Sequence, residues 1–262
     1  MKRKKRFEKD RLRKGIYILP NIFTSLNIFC GFYAIISSIN SNFFAAAVAI
    51  IIAILFDALD GKIARATNTT SKFGIEYDSL ADLISFGLAP GLMMYLWALK
   101  PLGRMGWLAA FLFMVCGALR LARFNTQTNK ISSDHFVGLP IPAGAGMNAT
   151  TVLIFYRFGI GGDVNPIMLL IMLYILSFLM VSTIKYNSFK RPELFKRMNF
   201  NVLVKAVLIL IFIAAQPMIA LFIIASAYVI SGSFTSILQI IKKTKIKKDN
   251  IYKLENHSSN SI

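Results

Sequence analysis

Between Asp57 and Asp82 the chain reads DALDGKIARATNTTSKFGIEYDSLAD, with four aspartates at helical spacings. Asp57 and Asp60 are three apart and Asp78 and Asp82 four apart, so on helices each pair shares a face. The flanks are apolar: AAAVAIIIAILF before, LISFGLAPGLMMYLWAL after. Four unpaired carboxylates beside hydrocarbon repel one another and cost on the order of several kcal/mol, so a cation must compensate them. Lys62 and Arg65 supply part of that charge, and bound metal would supply more. All-oxygen ligation by carboxylates suits hard cations such as Mg2+ or Mn2+ rather than Zn2+. A cluster of this size has room for two ions, the arrangement suited to displacement at phosphorus. The aspartates alone leave two other readings open, an internal salt-bridge network and a cation transport path. Transporter sites tend to lie near mid-bilayer in broken helices, whereas this cluster falls at one edge of its apolar runs.

The neighbours of the aspartates point to a phosphate ligand. Gly61 follows Asp60, Ala64 is about a turn further on, and Gly74 is one turn before Asp78. Small residues there let a bulky ligand approach the backbone, and Arg65 brings a fork of donors to a phosphate oxygen. Two other polar groups sit in apolar surroundings. Thr24 and Asn27, three apart, put side chains on one face that either meet a ligand or bond a neighbouring helix. Arg120 and Arg123, also three apart, suit a carboxylate or a lipid phosphate; alternatively they are snorkelling anchors at a helix C-terminus. Asn125 and Lys130 are secondary candidates. Pro140, Pro142, Gly144 and Gly146 read as shape, fixing the start and close packing of a helix.

These residues have to be positioned by membrane helices. Of 262 residues 56% are hydrophobic and only 16% charged, yet the net charge is +18, so the positive charge is crowded into a few places. The mean hydropathy of +0.59 is far from that of a soluble domain. Eight apolar stretches reach or approach the length of a span, near 17–38, 43–63, 77–99, 105–124, 141–159, 166–184, 202–217 and 218–240. The last two are divided only by Gln216 to Met218. The expected fold is therefore an all-α polytopic bundle. Alternating the connections puts KRKKRFEKDRLRK, Lys62, Arg65, Lys72, Arg120, Arg123, KYNSFKRPELFKR and KKTKIKK on one side. The other side keeps Lys100, Arg104 and Arg157. The positive-inside rule makes the crowded side, both termini and the aspartates cytoplasmic, in a multi-pass protein of the cell (inner) membrane. The basic N-terminal run is followed by a segment too long and too polar at its start for a signal peptide. Such basic clusters attract anionic membrane lipids. They flank spans with no soluble domain behind them, which argues against nucleic acid as the partner. Trp97 and Trp107 read as interfacial anchors on the outer side. Cys30 and Cys116 lie inside apolar runs, which excludes a disulfide framework and a Cys/His metal spacing. His135 and His257 carry no role.

The spacing Asp57, two residues, Asp60-Gly61, two residues, Ala64-Arg65, eight residues, Gly74, three residues, Asp78, three residues, Asp82 resembles the signature of the CDP-alcohol phosphotransferase family at all its fixed positions. LPNIFTSLNIFCGF, DSLADLISFGLAPG, GALRLARFN and FVGLPIPAGAG are similar to the serine-accepting branch, the phosphatidylserine synthases. Ser79 and Leu83 stand where the branch making phosphatidylglycerophosphate tends to have Pro and Lys. The resemblance covers about 17–185 and implies a six-helix core, to which a C-terminal pair is added. The divisions it implies are a basic N-terminal segment 1–16, the core 17–185, a loop and helix pair 186–241 and a basic tail 242–262. It implies metal ligation by Asp57, Asp60 and Asp78. Asp82 would complete a two-metal site of Mg2+ or Mn2+ and act as general base. Gly61, Ala64, Arg65 and Gly74 would line a CDP pocket that Asn21 also contacts. Thr24, Asn27, Arg120 and Arg123 are then candidates for serine or lipid-phosphate contacts. The implied reaction joins CDP-diacylglycerol and L-serine to give phosphatidylserine and CMP, by direct displacement, in a homodimer. Another acceptor, such as glycerol 3-phosphate or inositol phosphate, and a cation transporter are the alternatives.

Overall fold

The computed structural model describes residues 2–67, 69, 71–127, 135–162, 164–187, 211 and 213–232. The architecture is helical. Helix α1 (Lys2–Ile39) carries the basic run directly into the first apolar stretch, Leu19–Ile39. Its 38 residues extend about 57 Å at 1.5 Å per residue, well beyond a hydrocarbon layer. Pro20 lies inside it and removes one backbone donor without ending it. Helix α2 (Phe43–Ala66) begins where the Asn42 side chain accepts from the Ala45 N–H at 3.2 Å. It runs three residues past its expected end at 63, so Asp60, Gly61, Ala64 and Arg65 are all helical.

Helix α3 (Lys72–Leu102) starts five residues before the expected 77. The Ser71 hydroxyl caps it, accepting from the Gly74 N–H at 3.0 Å. Lys72 to Glu76 are too polar to count as a span, yet nothing in them breaks a helix. The turn between α2 and α3 is thereby shortened to 67–71. Beyond Asp82 the helix widens to π winding over Leu83–Leu88, just before Pro90, and again over Tyr95–Leu99. A proline has no N–H for the ladder and its ring collides with the carbonyl a turn earlier, which wide winding accommodates.

Helix α4 (Arg104–Gln127) returns to the end that holds the aspartates. Strand β1 (His135–Val137), helix α5 (Ile141–Arg157), helix α6 (Pro166–Val181) and strand β2 (Lys185–Asn187) follow. The two strands form a short antiparallel ladder with Phe136 opposite Tyr186, an element the hydropathy pattern does not announce. Gly138 leaves it at φ +83, and a Cβ there would strike the Met180 carbonyl, so the chain needs a glycine to pass. Helix α7 (Pro217–Gly232) comes last, after a break at Gln216 inside the expected one.

Among the described residues four helices are long and apolar enough to cross a membrane: Leu19–Ile39, Phe43–Ala66, Lys72–Leu102 and Arg104–Thr126. α6 and α7 are apolar but shorter. The 16 residues of α6 reach only about 24 Å against a hydrocarbon core of ~30 Å, so crossing requires local thinning. Of the expected seventh span only 211 and 213–217 are described, and 233–240 of the eighth lie outside the described residues, as does the tail 242–262.

α1 and α2 share the largest interface. Ala46, Ala47, Ala49 and Ala53 are all buried, and small side chains let helices approach where lipid offers no hydrophobic drive. Gly31 touches Ser85, where an added Cβ would overlap the serine. α5 fits between neighbours in the same way, Gly144 against Phe113 and Met180, Gly146 against Ile54. This packing gathers the middle of α1, the end of α2, the start of α3 and the end of α4 around one polar centre.

Candidate active site

The antiparallel pair α1 and α2 sets the first turns of the apolar stretch of α1 beside the end of α2. Thr24 Oγ1 therefore lies 2.9 Å from Asp60 Oδ2, across 36 positions of sequence. One turn on, Asn27 Nδ2 donates to Asp82 Oδ1 at 3.5 Å. Ser85 Oγ donates to the Asn27 carbonyl at 2.9 Å, locking α3 onto α1. Thr24, Asn27, Asp60, Asp82 and Ser85 are all buried. Of the two roles open for Thr24 and Asn27, the structure shows interhelical bonding, directed at the aspartates. Ser85 carries no signal beyond its position one turn past Asp82.

The turn at 67–71 folds α3 back so that its aspartates meet those of α2. One carboxylate oxygen from each of Asp57, Asp60 and Asp78 lies within 4.8 Å of the others. Two oxygens on opposite sides of an octahedral Mg2+ are about 4.2 Å apart, given bonds of 2.0–2.1 Å. Asp78 Oδ1 is buried without a hydrogen-bond partner, an arrangement a bare carboxylate avoids unless a cation completes it. The donor set, all oxygen and all carboxylate, fits a hard divalent ion. Asp82 stands outside this trio, one turn beyond Asp78 on α3, where Asn27 donates to it.

A cleft opens from the trio along α1, α2 and α3. Asn21, Gly61, Ala64, Arg65 and Gly74 all line it, together with Thr24, Asp60, Asp78 and the unanticipated Thr69, Ser71 and Ile75. The Arg65 guanidinium folds back over Gly61, 3.6 Å from where a Cβ would stand. A Cβ on Gly74 would meet Ser71 Oγ at 3.2 Å and stand 3.8 Å from Asn21 Oδ1. The two glycines thus leave the floor of the cleft as backbone, flanked by one guanidinium and one amide.

The two arginines of α4 part company. Arg123 Nη1 donates to the Val181 carbonyl at 3.0 Å and closes the C-terminus of α6. Arg120 lies close enough to Asp82 and Asp57 for their charges to act on it, and its Nε is buried without a partner. Asn125 bridges α4 to α3, donating to Ser79 Oγ at 3.0 Å and to Glu76 Oε2 at 3.4 Å. Lys130 lies outside the described residues. The Trp97 indole N–H donates to the Gly161 carbonyl at 2.9 Å.

Residues 17–184 match the family model described as CDP-alcohol phosphatidyltransferase. The chain is 36% identical over 227 residues to the CDP-diacylglycerol–serine O-phosphatidyltransferase of Helicobacter pylori (strain ATCC 700392 / 26695), covering 87% of this chain and 94% of that one. It is 39% identical over 173 residues to the enzyme of the same name in Bacillus subtilis (strain 168), covering 66% of this chain and 92% of the relative. The archaetidylserine synthase of Methanothermobacter thermautotrophicus is 36% identical over 179 residues, 68% of this chain and 72% of that one. With the aspartate trio, the cleft and these matches together, the chain belongs to the CDP-alcohol phosphatidyltransferase family.

Proposed function

We propose that the protein transfers the phosphatidyl group of CDP-diacylglycerol to the hydroxyl of L-serine, releasing phosphatidylserine and CMP. The observation that carries the reaction class is the trio of Asp57, Asp60 and Asp78 at the head of a cleft floored by Gly61 and Gly74. The acceptor is supported by the names of the relatives, all of which are serine enzymes.

Asp57, Asp60 and Asp78 would hold Mg2+ or Mn2+, and Asp82 beside Asp57 extends the set toward a second ion. A divalent cation held there supplies neutralisation of the pyrophosphate and of the charge that builds on the leaving CMP. Arg65 and Asn21 bind and orient the nucleotide end, with the lipid tails left in the bilayer. Asp82 takes the proton of the serine hydroxyl. The serine oxygen bonds to the lipid-side phosphorus as the bond from that phosphorus to the CMP oxygen breaks. Arg120, with an unpartnered donor beside Asp82, suits the acceptor's carboxylate; Arg123 is committed to α6. The basic segment 1–16, core 17–185, loop and helix pair 186–241 and basic tail 242–262 would together make an eight-span protein. It would sit in the inner membrane as a homodimer, with termini and site cytoplasmic. That orientation rests on the crowding of Lys and Arg at the end that holds the aspartates.

The test is CMP release from CDP-diacylglycerol in detergent micelles with Mg2+ or Mn2+. Serine, glycerol 3-phosphate and inositol phosphate are offered in turn, with Asp82→Asn as control. Serine-dependent release lost in the variant is the expected result. Release with a different acceptor would discard serine and keep the aspartate chemistry.

A further inference from the structure

Pro20, Asn21 and Thr24 line the cleft from α1, and Gly74, Ile75 and Asp78 line it from α3. The contacts between these two helices rise together in number, Ser25 with Tyr77, Asn27 with Asp82 and Gly31 with Ser85, so α1 and α3 run parallel. Two of the hydrogen bonds along the seam are buried: Ser85 Oγ donates to the Asn27 carbonyl, and Asn27 Nδ2 donates to Asp82. Among the described residues, the tie nearest the start of α3 differs from them. Ser25 Oγ and the Tyr77 phenol oxygen lie 2.9 Å apart, and this contact is exposed. One turn before Ser25, Asn21 Oδ1 stands 3.8 Å from where a Cβ on Gly74 would be.

The direction of these bonds follows from counting protons. A serine hydroxyl carries one, and Ser25 Oγ donates it to the Asn21 carbonyl at 2.8 Å. The Tyr77 phenol is then the donor to Ser25 Oγ. The chain of bonds runs from Tyr77 through Ser25 to the backbone of Asn21. That backbone follows Pro20, which has no N–H, so α1 is one bond short where the cleft begins. Thr24 fastens the same turn to Asp60 of α2. The cleft-lining turn of α1 is thus tied on two sides, to a carboxylate of α2 and to a phenol of α3. Phe73, a turn before Tyr77, stacks on its ring at 5.8 Å and 15° and keeps the phenol aimed at α1. Neither Ser25 nor Tyr77 is among the residues that line the cleft, and neither is a fixed position of the aspartate signature.

We infer that Tyr77 and Ser25 are a positioning pair for the nucleotide end of the lipid substrate: their bond sets the gap between α1 and α3 and holds Asn21 beside Gly74, where a nucleoside diphosphate has to fit. The inference rests on the proposed reading of the cleft as the CDP site. Its consequence is specific. Without the bond, α1 and α3 part at the cleft, which weakens every ligand that carries the CMP unit, substrate and product alike. Asp60 and Asp82 keep their own ties to Thr24 and Asn27, so the dependence on metal and on the acceptor is spared.

The experiment is steady-state CMP release by the full-length protein in micelles, varying serine, Mg2+ and the mole fraction of CDP-diacylglycerol separately, with added CMP as product inhibitor. Tyr77→Phe keeps the ring and its stack on Phe73. It is expected to raise KM for CDP-diacylglycerol and the inhibition constant of CMP together, each about fivefold, the scale of one neutral hydrogen bond. The kcat, KM for serine, half-saturating Mg2+ and Tm stay within about twofold or a few degrees of wild type. Ser25→Ala should reproduce the effect, and Ser25→Thr, which keeps the hydroxyl, should stay near wild type. The double variant Tyr77→Phe/Ser25→Ala should be no worse than either single change, because the two act as a unit. An unchanged KM for CDP-diacylglycerol or an unchanged CMP inhibition constant in Tyr77→Phe overturns the inference. So does a loss in which kcat, both KM values and Tm move together, which marks plain packing. Wild-type protein that releases no CMP with any acceptor and gains no Tm from added CMP defeats the CDP reading and this inference together; wild-type activity with silent Tyr77→Phe and Ser25→Ala defeats this inference alone.

Discussion

Thr24 Oγ1 lies 2.9 Å from Asp60 Oδ2 and 3.1 Å from the Pro20 carbonyl, so one hydroxyl ties the backbone of α1 to a carboxylate of α2. Both residues line the cleft, and the bond fixes which way the Asp60 carboxylate faces. Its energy is modest, about 1–3 kcal/mol for a bond to a charged group. On the proposed metal role of Asp60 its geometric effect would be larger, because a ligand carboxylate left to rotate has to be ordered again at each turnover.

Thr24→Val preserves the shape and removes the donor. Activity should fall about ten- to a hundredfold, the loss typical of a partner that orients a metal ligand. The Mg2+ concentration for half-maximal activity should rise with it. Thr24→Ser should restore most of both. Titration of activity against Mg2+ checks this, and an unchanged metal dependence in Thr24→Val would show that the bond is only structural.

Asp78 presents the opposite case, a buried carboxylate oxygen with no partner. Asp78→Asn should lower activity more than ~100-fold, beyond the loss for supporting partners. The same change removes one of several crowded like charges, so in chelator the variant should be at least as heat-stable as wild type. Mg2+ should raise the Tm of wild type and not that of the variant. Thermal unfolding with and without EDTA reads both effects; equal stabilisation of the two proteins by Mg2+ would remove Asp78 from the ligand set.

Arg123→Ala deletes the bond to the Val181 carbonyl at the end of α6. The expected cost is about 1.5–3 kcal/mol of stability, with activity per folded molecule and KM for serine nearly unchanged. Arg120→Ala should raise KM for serine, and because it removes a cation that acts on Asp82 and Asp57, its loss of Tm should be largest in chelator and smaller with Mg2+. Kinetics and thermal unfolding of the two variants side by side would expose any exchange of roles.

Gly31→Ala tests the contact that sets α3 against α1. An added Cβ overlaps Ser85, so α1 and α3 must part, at a cost of about 1–3 kcal/mol. Because Ser85 also bonds the carbonyl of Asn27, which bonds Asp82, activity should drop more than stability predicts. The added Cβ would also stand 2.7 Å from Ser85 Cα, so trimming the serine to glycine relieves only part of the overlap: the Gly31→Ala/Ser85→Gly double variant should stay well below wild type in Tm, and full recovery would show that the side chain alone is in the way.

The chemistry of this protein is legible in a line of sequence because it is local. Asp57, Asp60, Gly61, Ala64, Arg65, Gly74, Asp78 and Asp82 lie on two consecutive helices joined by a tight turn. Helical periodicity then places each pair on a face, and apolar runs on both sides make their charge expensive without a cation. Hydropathy likewise marks the spans of α1 to α4, because length and composition are enough to define a helix in lipid. The start of α3 at Lys72 escapes that logic, since its first turn is polar and is held by the Ser71 cap rather than by burial. So does the ladder of β1 and β2, in which three residues on each side pair across a separation of about fifty positions. Thr24 and Asn27 are visible as a polar stripe, but only the crossing of α1 over α2 and α3 decides that they bond Asp60 and Asp82. Arg120 and Arg123 are equivalent by type and spacing; the approach of α6 claims one and the aspartates claim the other. That α7 packs along α5, Gln216 beside Arg157 and Ser226 against Met147, is likewise decided only in the bundle, because contacts between distant segments are set by the whole fold rather than by any stretch of it.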